Sequence, residues 1–351
     1  MLQILHDIKV DWLGNRLWFI GISVLLMLAG LASAIFRQAT GGQAFNLGVD
    51  FKGGTVVTAK FKQKPSDEAI RSALVSKGVR DAVVQPVTDK PDTVLIKVPL
   101  EGEGQDGRVK VREALNTFGG EAPASTELEA DQNAVYKIIG TDAVGAIAGA
   151  QLRNKAIAVT LAALVGILVY IAFRFEWTYG AAAVIAVFHD VLVTLGFFSI
   201  FQFEVSLTVI AALLTLVGFS VNDTIVVFDR IRENRKLHRR DSLYKITNDA
   251  INQTLSRTVI TSGLVFLSVL AMVLFGGEVL RGFSLALLIG IVFGTYSSVA
   301  IASPIMVWWE QRIEAANRQA ALAFNQPVKG GVRTPAKASA KASNRRAGVK
   351  L

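Results

Sequence analysis

The sequence of 351 residues contains no cysteine, which excludes disulfide bonds and cysteine-ligated metal sites. It also lacks a phosphate-binding loop, because no lysine followed by serine or threonine stands at Walker spacing after the glycine pair Gly53-Gly54. No ATP site is therefore predicted, and the chain is expected to be neither an ATPase nor another kind of enzyme. We also expect no bound cofactor and no metal.

Hydrophobic residues make up 52% of the chain, and they are concentrated in blocks. A membrane-spanning helix needs about 20 predominantly apolar residues. Six stretches meet this requirement, at residues 17–36, 156–173, 179–201, 205–228, 258–275 and 283–309. The first is too long for a signal peptide and lacks its small-residue cleavage pattern, so it is predicted to be a membrane anchor. The sequence therefore indicates an α-helical membrane protein with a soluble insert after the first helix.

Acidic residues are scarce in two segments, and this scarcity predicts the orientation of the chain. Residues 230–257 contain eight basic and three acidic side chains, and residues 310–351 contain nine basic and two acidic ones, whereas residues 37–153 contain 15 of each. Because loops rich in Lys and Arg stay in the cytoplasm, both termini are predicted to be cytoplasmic and the insert periplasmic. A basic tail can also indicate nucleic-acid binding, but with six spans we interpret it as topological and expect no nucleic-acid partner.

The basic segment 230–257 is predicted to be a cytoplasmic loop that contains an amphipathic helix. Its apolar residues recur at helical spacing, namely Leu243, Ile246, Ala250, Ile251 and Leu255. Such a helix lies in the membrane interface, where its basic residues contact anionic lipid. Docking of a partner is the alternative. Residues 311–351 form a basic cytoplasmic tail that is predicted to be disordered.

The chain divides into four parts: residues 1–36 with the first span, 37–154, 155–310 with the other five spans, and the tail 311–351. The second part is predicted to be an α+β domain, because alternating and capped segments follow one another in the order β-α-β-β-α-β. The strands are predicted at residues 55–61, 82–87, 94–98 and 133–139, and the helices at 66–77 and 108–118. This order is typical of a ferredoxin-like domain.

Small residues recur four positions apart in three of the predicted spans. The pairs are Gly290 and Gly294, Ala182 and Ala186, and Ala162 and Gly166. Such steps allow helices to approach closely in lipid. Together they favour a tightly packed bundle over separate membrane anchors.

A glycine-rich element, FNLGVDFKGGT at residues 45–55, directly precedes the first predicted strand. Its glycine pair permits backbone conformations that other residues resist, so an ordinary turn into the strand is one interpretation. The other interpretation is a functional motif. The candidate residues of that motif are Gly48, Asp50, Phe51, Gly53, Gly54 and Thr55.

The fourth predicted span carries Asp223 within the run FSVNDTIVVFDR. An aspartate at the centre of a span costs about 2.5–3.5 kcal/mol on insertion scales, and intramembrane ionisable residues are functional candidates by default. Asp223 is predicted to lie towards the cytoplasmic side of the span, whereas Asp229 and Arg230 lie at its boundary and reach water. The neighbours Asn222 and Thr224 can hydrogen-bond to adjacent helices.

Arg257 begins the fifth predicted span at its cytoplasmic end and is the candidate charge partner of Asp223. Because the fourth and fifth spans are antiparallel neighbours, the two charges are predicted to share a depth. The guanidinium favours the ionised carboxyl and burial favours the neutral one, so such a site can change protonation when water enters. The alternative is a fixed ion pair or a polar helix contact without proton transfer.

Four further polar residues within the spans are weaker candidates. His189 and Asp190, in the third span, form either a proton shuttle or an interhelical hydrogen-bonded pair. Thr261 and Ser262, in the fifth span, are predicted to bond back to carbonyl groups of their own helix.

Three elements together resemble the SecF family of bacterial protein-export membrane subunits. They are the glycine-rich element at residues 45–55, the run GFSVNDTIVVFDRIREN at 218–234 and the run RTVITS at 257–262. The resemblance covers about residues 10–310 and implies half of an RND-superfamily bundle, with SecD as the other half. It also implies a place in the bacterial inner membrane.

The resemblance implies a function as well. Such a chain, with SecD and the proton-motive force, assists preproteins that leave the SecYEG channel, and the family's proton path maps onto Asp223 and Arg257. The expected partners are SecD, SecYEG, the emerging preprotein and membrane lipids, and the proton gradient is the energy source. Two alternatives stay open, namely a non-motor scaffold of the Sec complex and one half of an RND-type solute exporter.

Overall fold

The computed structural model describes residues 9–79, 82–87, 90–99, 107–174 and 176–325. In chain order its elements are α1 (Arg16–Ala39), β1 (Asn46–Leu47), α2 (Val49–Lys52), β2 (Gly54–Phe61), α3 (Asp67–Ser76), β3 (Val83–Val87), β4 (Lys90–Pro99), α4 (Gly107–Leu115), β5 (Gly120–Glu121), β6 (Ala134–Val144), α5 (Ala146–Arg174), α6 (Trp177–Phe201), β7 (Glu204–Val205), α7 (Leu207–Leu237), α8 (Leu243–Phe275), α9 (Gly277–Ser297), a π-helical segment (Ser298–Ala302) and α10 (Ser303–Asn325).

Six helical rods in the described part of the chain are long and apolar enough to cross a membrane, which confirms the six predicted spans. They are α1, α5, α6, α7, α8 and the continuous rod formed by α9, the π segment and α10. Several rods run past the predicted ends: α5 begins at Ala146, α7 continues to Leu237 and α8 begins at Leu243. Hydropathy marks only the apolar part of a helix, whereas caps set its ends. The cap of α8 is Ser242, whose Oγ accepts from Lys245 N at 3.3 Å.

The helix predicted within residues 230–257 is present, whereas the residues before it, which were predicted as loop, continue α7 to Leu237. The predicted interfacial helix is the first part of α8, and its Ile246 is buried in one apolar cluster with Leu13. On the same face, Asn252 Oδ1 accepts from Trp12 Nε1 at 3.0 Å. The apolar face of this helix is therefore buried within the protein, in one cluster with residues of α7 and with Leu13 of the segment before α1.

The predicted disorder of residues 311–351 is wrong for the first part of that segment, since α10 continues to Asn325. Residues 311–325 contain no glycine or proline and are rich in alanine, glutamine and arginine. These residue types favour helix over irregular structure. The rest of the predicted tail lies outside the described residues.

The inserted domain is a five-stranded sheet with strand order β3-β4-β2-β6-β5, which packs against α3 and α4. Its four longer strands are antiparallel and, with the two helices, have the predicted β-α-β-β-α-β order of a ferredoxin-like fold. β5 is an additional two-residue strand parallel to β6. Alternate residues of β2, Val57, Ala59 and Phe61, are buried in the domain core.

α7 and α9 lie at the centre of the bundle, because they pack against each other and both also contact α6 and α8. At the α7–α9 contact, a Cβ atom added to Gly290 would lie 2.5 Å from Leu216 Cδ1, so the absent side chain permits close approach. Ala182 and Ala186 of α6 are also buried. Both ends of the α5 step at residues 162–166 are exposed, so that pair does not mediate packing within the described bundle.

α1 and α6 run parallel and touch through two glycines. A Cβ atom added to Gly30 would lie 2.4 Å from Gly196 Cα. Three residues further along both helices, Ser199 Oγ donates to Ser33 Oγ at 3.3 Å. The two contacts fix one register between these helices, because both join residues that are separated by 166 positions in the sequence.

The variant Gly30→Ala is expected to destabilise the protein by about 1–3 kcal/mol, since the added methyl group collides with backbone and must push α1 away from α6. Gly21 provides a matched control on the same helix, because a Cβ atom there meets nothing within 4 Å. Gly21→Ala is expected to be neutral or to stabilise by up to about 1 kcal/mol. Thermal unfolding of both variants in detergent measures the difference, and equal midpoints would show that the glycine contact is dispensable.

Candidate functional site

Asp223 lies on the face of α7 that is turned towards α8 and α9, and it is only 3% exposed. Its Oδ2 atom accepts from Ser262 Oγ on α8 at 2.8 Å and from Thr295 Oγ1 on α9 at 3.4 Å. The carboxyl therefore bridges three membrane helices. Because a hydroxyl group can either donate or accept a hydrogen bond, the same two partners can hold the ionised or the protonated carboxyl. A reversible proton site requires this property.

Arg257 does not lie at the depth of Asp223. The segment before Arg257 is helical within the bundle, as the predicted pairing required, but Ser262 is the residue opposite Asp223. Arg257 stands five residues earlier in α8, about 7 Å nearer the α7–α8 connection by helix rise. Its side chain is exposed, and within the described residues no ion pair joins it to Asp223. Ser262 therefore holds the place where a direct charge pair was expected. The guanidinium of Arg257 still acts electrostatically on Asp223 at longer range, so the predicted partnership is present without an ion pair.

The two hydroxyl residues of the fifth span behave differently from one another. Thr261 Oγ1 donates to Arg257 O at 3.0 Å, which confirms the predicted back-bonding for this residue. The same prediction is wrong for Ser262, whose hydroxyl donates across the helix contact to Asp223. The reason is that Ser262 is buried at the face towards α7, whereas Thr261 is exposed.

The other polar residues of α7 lie outside the carboxyl site. Thr224 Oγ1 donates to Ser220 O of its own helix at 3.2 Å, so its predicted bond to an adjacent helix is wrong. Asn222 is exposed on the outer face of the bundle. Asp229 is exposed nearer the α7–α8 connection, and Arg230 Nε there donates to a glutamine of α8. Neither of these two charged residues is brought to the buried carboxyl.

Asp190 on α6 is a second buried carboxyl, 1% exposed. Its Oδ2 atom accepts from Ser297 Oγ on α9 at 2.8 Å and from Ser220 Oγ on α7. Its Oδ1 atom lies 2.9 Å from Nδ1 of His189, which is also buried. These bonds confirm the predicted hydrogen-bonding across helices, and the proton-shuttle interpretation stays a prediction.

The two carboxyl sites share the contact between α7 and α9. On α7, Ser220 contacts the second carboxyl and lies one helical turn from Asp223. On α9, Thr295 contacts the first carboxyl and Ser297 the second. A Cβ atom added to Gly294 would lie 3.2 Å from Ser220 Cβ, so this glycine lets the helices approach closely enough for both sets of bonds.

Sequence reasoning missed three of these hydroxyl residues, Ser220, Thr295 and Ser297. The available signal was the run GTYSS at residues 294–298, which places small polar residues inside an apolar span. The rod changes to a π-helix directly afterwards, over Ser298–Ala302, and all five residues of that segment are buried. π-helical turns are rare and frequent at functional sites. Nothing in the residue pattern predicted this one.

The glycine-rich element joins the inserted domain to the start of α7. Asp50 Oδ2 accepts from the backbone N of Leu207, the first residue of α7, at 3.0 Å. Gly48 N donates to Val205 O at 2.8 Å, next to the parallel pair β1–β7. Phe51 is buried in an apolar cluster with residues of α6, α7 and α9. Asp50 therefore caps the helix that carries the first carboxyl, with its negative charge at the helix N-terminus.

The glycine pair of the same element adopts positive φ angles, 80° at Gly53 and 148° at Gly54. A Cβ atom on Gly54 would lie 2.5 Å from Val98 O, and one on Gly149 of α5 would lie 3.0 Å from Gly53 N. Thr55 is buried at the start of β2. The turn predicted from the sequence is present, and in addition the element packs against both α5 and α7.

The fold and the matched family define the class of this protein. Residues 125–312 match the family described as "Protein export membrane protein SecD/SecF, C-terminal", and residues 39–65 match the "SecD/SecF GG Motif". The first match covers more than half of the chain and includes both carboxyl sites, and the second covers the element that caps α7.

Within that class the chain belongs to the SecF family, as its motifs predicted. It is 39% identical to "Protein translocase subunit SecF" of Koribacter versatilis, over 88% of this chain and 94% of the relative. It is 40% identical to the protein of the same name from Escherichia coli O157:H7, over 86% of this chain and 89% of the relative. The chain is thus similar to these relatives over nearly their whole length.

Solved structures show the same architecture. The crystal structure of SecDF from Thermus thermophilus matches with a TM-score of 0.71 and 36% identity, over 87% of this chain and 39% of the SecDF chain. SecDF in its super-membrane-facing form matches with a TM-score of 0.60 and 34% identity, over 90% of this chain and 41% of that chain. The chain therefore corresponds to less than half of SecDF, in agreement with the predicted half of an RND-type bundle.

Proposed function

We propose that this chain is the SecF subunit of an accessory complex of the Sec translocon, which acts with SecD and uses the proton-motive force to assist preprotein export. Support for the Sec role comes from relatives that are named protein translocase subunits. Support for a partnership with SecD comes from the Thermus relative. That protein is named SecDF and is more than twice as long as the region that aligns with this chain. The observation that carries the proton-driven part is Asp223, a buried carboxyl held between three helices by hydroxyl groups.

The orientation in this proposal follows from charge. The α7–α8 connection and both termini lie in the cytoplasm, because residues 230–257 and 310–351 carry the excess of basic side chains. The inserted domain then lies in the periplasm, on the side of the bacterial inner membrane where an exported chain emerges. Membrane lipids surround the bundle, and neither a nucleic acid nor a cofactor is needed.

The proposed cycle begins when Asp223 takes up a proton. Protonation removes the buried charge and changes the hydrogen bonds that Ser262 and Thr295 make, so α7 repacks against α8 and α9. One charge that crosses 100 mV releases about 2.3 kcal/mol, which is comparable with the roughly 1.5–3 kcal/mol net contribution of a hydrogen bond to a charged group. A single protonation is therefore sufficient to change one of these contacts.

Movement of α7 reaches the inserted domain through the glycine-rich element. Asp50 holds the first residue of α7, and Gly48 pairs with the β7 strand just before that helix. A displacement of α7 along its axis therefore acts directly on the chain that leads into β2. In the proposed function this displacement moves the domain that holds and releases the emerging preprotein, next to SecYEG.

The exposed polar side chains of the bundle suggest where SecD binds. Asn222 on α7 and Arg257 on α8 are both exposed within membrane spans, and Thr208 and Thr215 are further exposed polar residues of α7. Polar groups are costly against lipid and favourable against a partner. We expect SecD to cover this face and Arg257 to influence the charge of Asp223 within the assembled complex.

Reconstituted vesicles test this function. Vesicles that contain this chain, SecD and SecYEG would be loaded with a preprotein arrested late in export, and a proton gradient would then be imposed. We expect completion of export to require the gradient and to stop when an ionophore collapses it, while vesicles without this chain show no gradient-dependent component. Completion that is equally fast with and without the gradient would contradict the motor and leave only an assembly role.

A non-motor scaffold is the second candidate function. Hydroxyl groups that bridge Asp190 and Asp223 to neighbouring helices also fit a static role in holding the bundle together. The gradient experiment separates the two functions, since a scaffold supports export independently of the gradient. The solute-exporter alternative has no such support, because the relatives reported above are named as translocase subunits.

A further inference from the structure

Two buried polar atoms on neighbouring helices have no hydrogen-bond partner among the described residues. They are Oγ of Ser23 on α1 and Nε2 of His189 on α6, and their side chains are only 2% and 6% exposed. A polar group that is buried without a partner costs about 1–3 kcal/mol, so native structures rarely leave one unsatisfied. Two such atoms at one helix contact therefore point to a shared ligand.

The register of α1 against α6 places these two residues opposite each other. The contacts Gly30–Gly196 and Ser33–Ser199 both join residues 166 positions apart. Ser23 and His189 are separated by the same 166 positions, and they lie seven residues before the two glycines. Seven residues make nearly two turns, so the same faces meet again about 10 Å further along the parallel helices. α1 stays packed on the bundle there, since Tyr296 Oη donates to Phe19 O at 2.7 Å.

We propose that a water molecule binds between Ser23 Oγ and His189 Nε2 and that it delivers protons to the His189–Asp190 pair. A buried water needs two to four polar partners, and the two orphaned atoms supply two. This proposal rests on the proposed proton-driven function and adds a second proton-binding site to it. The ligand classes are water and the proton that water carries.

The proton step uses the hydrogen bond between His189 and Asp190. A hydronium at this site gives a proton to His189 Nε2, and the proton on Nδ1 passes to Asp190 Oδ1, 2.9 Å away. The imidazole ends neutral in its other tautomer, the carboxyl ends neutral, and the water is restored. Protonation removes the charge that the hydroxyls of Ser220 and Ser297 stabilise, so this second site also acts on the α7–α9 contact.

Other titratable groups on the elements around α6 are few or exposed. α1 faces the pair with Ser23, α7 with Ser220, and α9 with Ser297, which are all neutral. The described buried titratable side chain on a facing helix is Asp223 of α7. The charged residues of α5 are exposed towards its two ends, at Arg153, Lys155 and Arg174. The exchange of protons at this pair is therefore governed by water access and by the charge of Asp223.

The chain contains only three histidines, which makes a direct test possible. In the variant His6→Gln with His238→Gln, a nitrogen-labelled histidine reports on His189 alone by NMR of the full chain in lipid nanodiscs. We expect a cross-peak between His189 Nε2 and water, loss of that cross-peak in Ser23→Val, and its retention in Ser23→Thr, which keeps the hydroxyl. Ser33→Ala, on the same helix, is the matched control and should retain the signal. Absence of the cross-peak, or its persistence in Ser23→Val, would overturn the water site.

Proton flux in vesicles with SecD tests the relay separately. Ser23→Val is expected to lower the flux by about a hundredfold, at the lower end of effects for loss of a positioned proton-transfer group, whereas Ser33→Ala leaves it unchanged. Unchanged flux in a Ser23→Val protein that has lost the water signal would overturn the relay. Failure of the proposed function looks different, because Asp223→Asn would then leave both flux and the His189 signal intact.

Discussion

Replacement of Asp223 by asparagine is expected to abolish gradient-driven proton flux and gradient-dependent export, a loss of about a hundredfold or more. The amide has nearly the shape of the carboxyl and can still accept from Ser262 and Thr295, so the helix contacts are retained. It cannot exchange a proton at neutral pH. The expected result is therefore a protein that assembles with SecD and inserts normally but no longer uses the gradient. Flux and export would be measured in the same vesicles.

Two variants control this experiment. Asp229→Asn removes an exposed carboxyl from the same helix and is expected to leave flux and export unchanged. Ser262→Ala removes a hydrogen-bond donor but keeps the proton-binding carboxyl, so it should retain flux and shift its pH dependence. Normal gradient-dependent export by Asp223→Asn would refute the motor. A loss of assembly in that variant would instead assign the carboxyl to packing.

The second large effect is expected from substitution of Asp50. This substitution should lower export without lowering proton flux. Asp50→Ala removes the cap from α7, and loss of an N-cap costs about 0.5–2 kcal/mol. A free-energy change of about 1.4 kcal/mol corresponds to a tenfold change in an equilibrium constant. Loss of the cap therefore changes several-fold the equilibrium between the state in which α7 is held by the glycine-rich element and the state in which it is not. We expect export to fall about fivefold to tenfold. Proton flux should persist, since Asp223 lies further along α7 and is unchanged. The same vesicles measure both quantities.

Asp50→Asn is the matched control, because its side-chain oxygen still accepts from Leu207 N. It should retain most of the export activity and show that the acceptor, rather than the negative charge, carries the coupling. If Asp50→Ala lowers flux and export together, the residue supports the whole fold and not the connection between its parts. If it lowers neither, the connection runs through another contact, such as the burial of Phe51.

The sequence predicted the parts of the fold that depend on local periodicity. Six apolar stretches gave six spans, and alternation in β2 with a capped α3 gave the ferredoxin-like order of the inserted domain. Helix ends were less predictable, because α7 and α8 continue as polar helices beyond the apolar stretch. Their continuation depends on tertiary burial of residues such as Ile246.

The candidate site was predictable in its residues but not in its pairing. Asp223 could be identified from the sequence alone, because a carboxylate within an apolar span is costly to bury. Its partner depended on the register between α7 and α8, which a single sequence does not contain. A charge argument selected Arg257, whereas the structure places Ser262 at that level. The contact between α7 and α9 was missed for the same reason, since serine and threonine are common in helices and carry little individual signal.

The π segment has a further consequence for the sixth span. A bond pattern of i to i+5 accommodates one more residue in a turn than the α-helix does, and one residue corresponds to about 100° around the axis. The extra residue therefore determines the direction in which the side chains beyond Ala302 point around the helix axis. These include Met306 and Val307, which are fully buried. If the wide turn migrates along the rod, only the residues that it passes rotate, and both ends of the span keep their orientation. A helix built in this way can twist in its middle while remaining anchored at its two ends.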